Sequence, residues 1–174
     1  AMERRGYLSA GAFVPEVVLE HPEVVTQLHR EFIRAGSDVV QAFTYYGHRE
    51  KLRIIGKEHL LEPMQKGALK IAKDAAAEFK DLDLMVCGDV ANTNVFDPGD
   101  PNTHKQCQQM YEEQVAWAKE AGVDFVIAET INWTEEMKIA LKAIKDAGLI
   151  AVCNFAIPRG DKTREGHSAE DACK

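Results

Sequence analysis

Apolar positions along the chain fall into two alternating patterns. Short apolar runs without polar alternation occupy residues 39–43, 84–87, 125–128 and 149–155, as expected of parallel strands buried on both faces. Stripes at helical spacing lie between them. Val24, Val25, Leu28, Phe32 and Ile33 follow Pro22, and residues 63–80 form a second stripe. Tyr111, Val115, Trp117 and Ala118 lie in a helix that ends at Ala121, with Asn102 or Thr103 as its cap; Met137, Ala140, Leu141 and Ile144 mark residues 134–147 as a further helix. Residues 1–21 read as a mixed entry segment, 49–61 as a charged connection with room for a helical turn, 88–94 as a polar loop and the stretch from Pro158 as a polar tail.

One stretch is written twice. Residues 35–44 (AGSDVVQAFT) and 121–130 (AGVDFVIAET) agree at six of ten positions. A helix, an Ala-Gly ending, a buried strand and a polar residue at its end form one repeating unit, and Ala147-Gly148 opens a looser copy. Gly122 has the freedom to close its helix in the left-handed conformation. The fold class is therefore α/β, with repeated parallel βα units.

Composition narrows the function. The 174 residues suffice for one domain with a sizeable core, and 45% hydrophobic with 28% charged residues is ordinary for a globular chain. A net charge of −7 argues against nucleic acid or an anionic membrane as partner. No apolar run approaches the ~20 residues of a membrane helix, and the start has no apolar core of a signal peptide. Cys87, Cys107, Cys153 and Cys173 form no C-x-x-C pair, which favours reduced thiols in a cytoplasmic protein; Cys87 and Cys153 read as small strand hydrophobes. Nucleotide-binding glycine motifs, H-E-x-x-H and G-x-S-x-G are absent.

The chemistry is expected where parallel strands end. Glu129 closes the run 125–128 and stands at such a mouth, where position alone leaves a site acid and a solvated loop acid both open. Gln41, Thr44, Tyr45, Tyr46 and His48 gather after the first strand. His21 and His29 read as surface residues. Ser168 with Asp171 resembles a capping box at the start of a helix that the chain does not complete, so a piece of a longer protein is expected.

At these residues the chain resembles the homocysteine S-methyltransferases, of the betaine–homocysteine type. The resemblance is carried by residues 20–25 (EHPEVV), 27–32 (QLHREF), 41–46 (QAFTYY), 112–115 (EEQV), 124–129 (DFVIAE) and 170–174 (EDACK). It implies a (βα)8 barrel, of which this chain would supply the second to fifth strands, with the first strand and the last three outside residues 1–174. It also implies a zinc ion that holds the homocysteine thiolate, on cysteines that would follow Lys174, so no metal ligand or catalytic residue is assigned here and the isolated chain is expected to be inactive. The substrates implied are homocysteine and an onium methyl donor, betaine in the first place, and the full-length enzyme is expected to be a homo-oligomer. Glu129 matches the family acid that holds the homocysteine amine, and Tyr46 matches a tyrosine on the metal and donor side. Gln41 and Thr44 line the same mouth. Phe13 stands where vertebrate betaine enzymes carry a tryptophan, and Thr130 where they carry a tyrosine, which thins an aromatic cage for a quaternary ammonium. A sulfonium donor therefore stays open. The competing reading is a small doubly wound α/β module that binds a ligand or partner without catalysis.

Overall fold

The computed structural model describes residues 2, 4, 6–7, 15–157 and 160–173. Its strands are β1 (Val39–Gln41), β2 (Met85–Ala91), β3 (Phe125–Ile131) and β4 (Ile150–Phe155), all parallel and side by side in chain order. The helices are α1 (Val17–Glu20), α2 (Pro22–Arg34), α3 (Arg49–Ile54), α4 (Leu61–Ala77), α5 (Pro101–Ala121), α6 (Thr134–Asp146) and α7 (Ala169–Ala172), with a 3-10 turn at Glu58–Leu60 before α4.

The order β1-β2-β3-β4 never reverses, so the sheet has no switch point and the doubly wound arrangement is set aside. Helices cover one face. A Cβ at Gly88 would come within 3.0 Å of Ala118 Cβ on α5 and 4.0 Å of Leu69 Cδ2 on α4, so Val86, Gly88 and Val90 face the helices. Met85, Cys87 and Asp89 face the other way. That second face is open at β4, where Ile150 is 69% and Val152 42% exposed.

The register supports a barrel segment. Gln41 is level with Cys87, and Cys87 with Phe125. In the sequence repeat, however, the counterpart of Phe125 is Val39. The offset, 41 − 39 = 2 residues over two strand steps, equals the one residue per strand of an eight-stranded barrel with shear 8.

Several expectations need correction. The second strand runs on from Cys87 through Ala91, so half of the expected polar loop is strand. The carbonyls and amides there find ladder partners on β3, and Val90 and Ala91 are apolar enough to be buried. Helix α5 is capped by Asp100, whose side chain accepts from the Asn102 amide, because Pro101 occupies the first helical position. His29 is buried rather than on the surface, Phe32 is exposed, and Cys153 is exposed on the outermost strand β4, on the same side of the sheet as its neighbour Ala128. Residues 17–20 are helix where only an entry segment was expected, and the helical turn for which the connection 49–61 left room is the helix Arg49–Ile54. Gly122 does close α5 with a left-handed φ of 68°.

Candidate active site

The C-terminal ends of the strands are tied together before any ligand arrives. After β1 the chain turns sharply: the Thr44 amide donates to the Ala42 carbonyl at 2.8 Å, and Gly47 to the Thr44 carbonyl at 2.7 Å. A Cβ on Gly47 would lie 2.9 Å from that Thr44 oxygen, so only glycine fits. The Thr44 hydroxyl donates to the Asp89 carbonyl at 3.2 Å and is buried, which makes Thr44 a clamp between the first two mouths.

Backbone strain marks the same rim. Among the described residues the non-glycine positions with left-handed φ are Tyr46 (59°), Asn94 (64°) and Thr130 (61°). Tyr46 and Asn94 follow the ends of β1 and β2, and Thr130 is the last residue but one of β3. Thr130 is β-branched, for which this conformation is costly; it sits in a register shift between Glu129 and Ile131 that turns Ile131 into the core. Strain of roughly 1–3 kcal/mol per residue persists where the surroundings impose it, and such positions gather at sites.

Gln41 and Glu129 meet on the open face. The Gln41 amide Nε2 donates to Glu129 Oε1 at 2.8 Å, reaching from β1 past β2 to β3. Asp89 lies on the strand between them. It is 4% exposed, and neither carboxylate oxygen has a hydrogen-bond donor. Burial first, and the Glu129 carboxylate second, push the Asp89 pKa well above the usual carboxylate range. Burial, with Asp89 and Glu129 nearby, likewise drives the Cys87 thiol up to about 12.

Tyr46 stands to one side. Its ring packs on Tyr45 at 4.2 Å between centroids and carries the Lys51 ammonium 4.3 Å from its centre. The hydrogen bond with Tyr45, then burial, raises its phenol to about 12. His48, 6.1 Å from the Tyr46 ring, is buried and held near 4 by desolvation. Over the mouth of β3, the Arg164 amide donates to the Asn132 carbonyl at 2.9 Å, and its guanidinium lies 5.4 Å from the Trp133 ring centre. Phe13 lies outside the described residues.

Of the expected site residues, the structure thus brings Gln41 and Glu129 into contact, places Thr44 in the wall and sets Tyr46 on the rim. Two acids were not singled out from the sequence. Asp89 was hidden in the supposed loop, although Met85, Cys87, Asp89 and Ala91 share one face of a longer strand. Glu136, 2% exposed in the first turn of α6, accepts from the Thr93 amide at 2.8 Å, the Thr93 hydroxyl at 2.6 Å and the Tyr111 phenol at 3.2 Å.

A resident metal does not fit the described residues. No three histidine, cysteine or acidic side chains among them gather as ligands, and the Cys87 thiol is held in its protonated form.

The sequence profile of the family described as homocysteine S-methyltransferase matches residues 2–174. The chain belongs to this family. It is 36% identical over 166 residues to betaine–homocysteine S-methyltransferase 1 of Bos taurus, covering 92% of this chain and 40% of that protein. The protein of the same name from Danio rerio is 35% identical over 164 residues, with the same coverage. The chain therefore spans about two fifths of the length of these relatives. Among solved structures, the metallated homocysteine methyltransferase MmuM of Escherichia coli superposes with a TM-score of 0.77 over 90% of this chain and 59% of its own, at 17% identity. That likeness concerns the fold, and it agrees with the stagger of the strands: the parallel sheet belongs to a (βα)8 architecture.

Proposed function

We propose that residues 1–174 form the second to fifth strands of a homocysteine-binding (βα)8 barrel, and that the whole protein transfers a methyl group from an onium donor to the sulfur of homocysteine, giving methionine. The observation that carries this reading is Glu129, a carboxylate in the C-terminal half of β3 whose Oε1 is fixed by Gln41 at 2.8 Å. A fixed carboxylate at a barrel mouth is suited to an amino-acid ammonium, in a charge-assisted contact. Family membership supplies the substrate class.

In this reading Glu129 binds the ammonium, Gln41 orients Glu129, Thr44 keeps the first two mouths in register, and Tyr46 borders the donor. Holding the sulfur and the methyl carbon in line is most of the catalytic work. The sulfur–carbon bond forms as the carbon–nitrogen bond of betaine, or the carbon–sulfur bond of a sulfonium donor, breaks; that bond's electron pair stays on the departing amine or thioether, and the thiol proton leaves to solvent. The relatives' name favours betaine, whereas Thr130, at the strained register shift of β3 beside Glu129, offers no aromatic face to a quaternary ammonium. A zinc ion, which would hold and activate the thiolate, finds no ligands among the described residues, so no step is assigned to it here. We place the whole protein in the cytoplasm as a homo-oligomer, without a nucleic-acid or membrane partner; no helix among the described residues is long and apolar enough to cross a membrane.

The test supplies the purified full-length protein with homocysteine and either betaine or a methylsulfonium donor, and follows methionine. Formation of methionine, fastest with betaine, is expected. No methionine from any onium donor would sink the proposal.

A further inference from the structure

Asp89 has no part in the reading above, and the fold leaves it unexplained. Its side chain is almost fully buried on the face that carries Glu129 and Gln41, and both of its oxygens lack donors. A buried carboxylate without a donor is a costly arrangement. A proton shared with a neighbour can relieve it, as can a cation bound to both. We propose that Asp89 is a second carboxylate for the ammonium of the amino-acid substrate, acting with Glu129 on one cationic group. The proposal rests on the assignment of Glu129 to that ammonium.

Among the described residues, the groups that face Asp89 supply no cation for the role. From β3 the charged group facing Asp89 is Glu129, which raises its proton affinity after burial itself. From β1 the side chain of the site is neutral Gln41, bonded to Glu129. On its own strand the neighbour is the Cys87 thiol, whose pKa is raised. Helices α4 and α5 pack on the opposite face, against Gly88. Without substrate, Asp89 therefore keeps a proton and donates it towards Glu129. With substrate, the ammonium provides the donors, the Asp89 proton leaves to solvent, and both carboxylates are charged. Binding then releases a proton, and the released fraction shrinks as the pH rises through the raised Asp89 pKa.

The test is calorimetric titration of the full-length protein with L-methionine, which has the ammonium but no thiol proton, in buffers of different ionisation enthalpy. At about pH 6 to 7 the ligand ammonium stays charged. His29 and His48, both lowered to about 4, stay neutral there. Wild type is expected to release a substantial fraction of one proton. Asp89→Asn should release none and bind about ten- to a hundredfold more weakly, as expected for a lost charge-assisted contact. Wild-type binding without proton release overturns the proposal, whether or not the variant folds. Weakened binding by Glu129→Gln together with unchanged binding and proton release by Asp89→Asn overturns this inference alone. Unchanged binding by Glu129→Gln overturns the assignment of Glu129 itself, and this inference with it.

Discussion

Two buried acids divide the roles in this chain. Glu136 is enclosed between α5, α6 and the turn after β2, and the Thr93 amide, the Thr93 hydroxyl and the Tyr111 phenol all donate to it. Asp89 is as deeply buried only a few residues from that turn, yet its oxygens receive nothing. The helix layer satisfies its acid from within; the strand-end face leaves its acid waiting. Satisfaction, rather than burial or charge, separates a carboxylate that holds the fold from one that holds a ligand.

The comparison breaks most clearly at Glu136. Glu136→Ala strands the Thr93 and Tyr111 donors in the core, and at ~1–3 kcal/mol for each orphaned group the loss should reach about 3–6 kcal/mol. Urea denaturation reads it; a loss below about 1 kcal/mol would mean that the network is ornamental.

Acid sharpens it next. His29 and His48 are buried, and their nitrogens given above as neutral lack partners: Nε2 of His29 and both nitrogens of His48. Burial lowers both to about 4 from an ordinary 6.5. The unfolded chain takes up these protons first, so the contribution of each is complete above about pH 6.5 and is lost as the pH falls towards 4. The loss is about 3 kcal/mol each at most, at ~1.4 kcal/mol per unit. Stability measured against pH should fall steeply across that window, and the His29→Leu, His48→Leu double variant should flatten the fall. An unchanged slope in the double variant would assign it to other groups.

Asp89 gives the smallest effect and the opposite sign. Its raised pKa favours the folded state at low pH, and that advantage disappears as the pH rises through the folded value. Asp89→Asn removes the buried charge and gives Glu129 a donor. It should therefore stabilise by ~1 kcal/mol at and above neutral pH, or about 2–4 °C in Tm for a chain of this size. A destabilised Asp89→Asn protein would place Asp89 with Glu136, among the acids that hold the fold.

The parallel order and the helix layer were legible because unalternating runs and the repeated Ala-Gly unit report directly on strands buried between helices. Glu129 was legible for the same reason, since it ends such a run. Asp89 was not, because an acid after Gly88 reads as loop; its place in β2 depends on pairing with Ile127 on β3, which sequence does not display. His29 misled because the helix stripe gives no hint that His29 shares the lining of a groove of about 350 Å³ with Val40 and Ala42. Glu136 looked like an ordinary first-turn acid, favoured there by the helix dipole. Its donors come from Thr93 and Tyr111, which only the fold brings near.

The central claim is that Glu129 holds the substrate ammonium. In the full-length enzyme, Glu129→Gln keeps the shape and the Gln41 contact region but removes the charge. A carboxylate–ammonium pair in a partly desolvated mouth contributes roughly 2–4 kcal/mol. The homocysteine requirement should therefore rise about 30- to 1000-fold, at ~1.4 kcal/mol per tenfold, with a smaller change in the donor requirement. Measuring rate against homocysteine concentration for both proteins decides it. A steep rise is the expected result; wild-type homocysteine dependence in the Glu129→Gln enzyme would show that this carboxylate is only a solvated acid at the end of a strand.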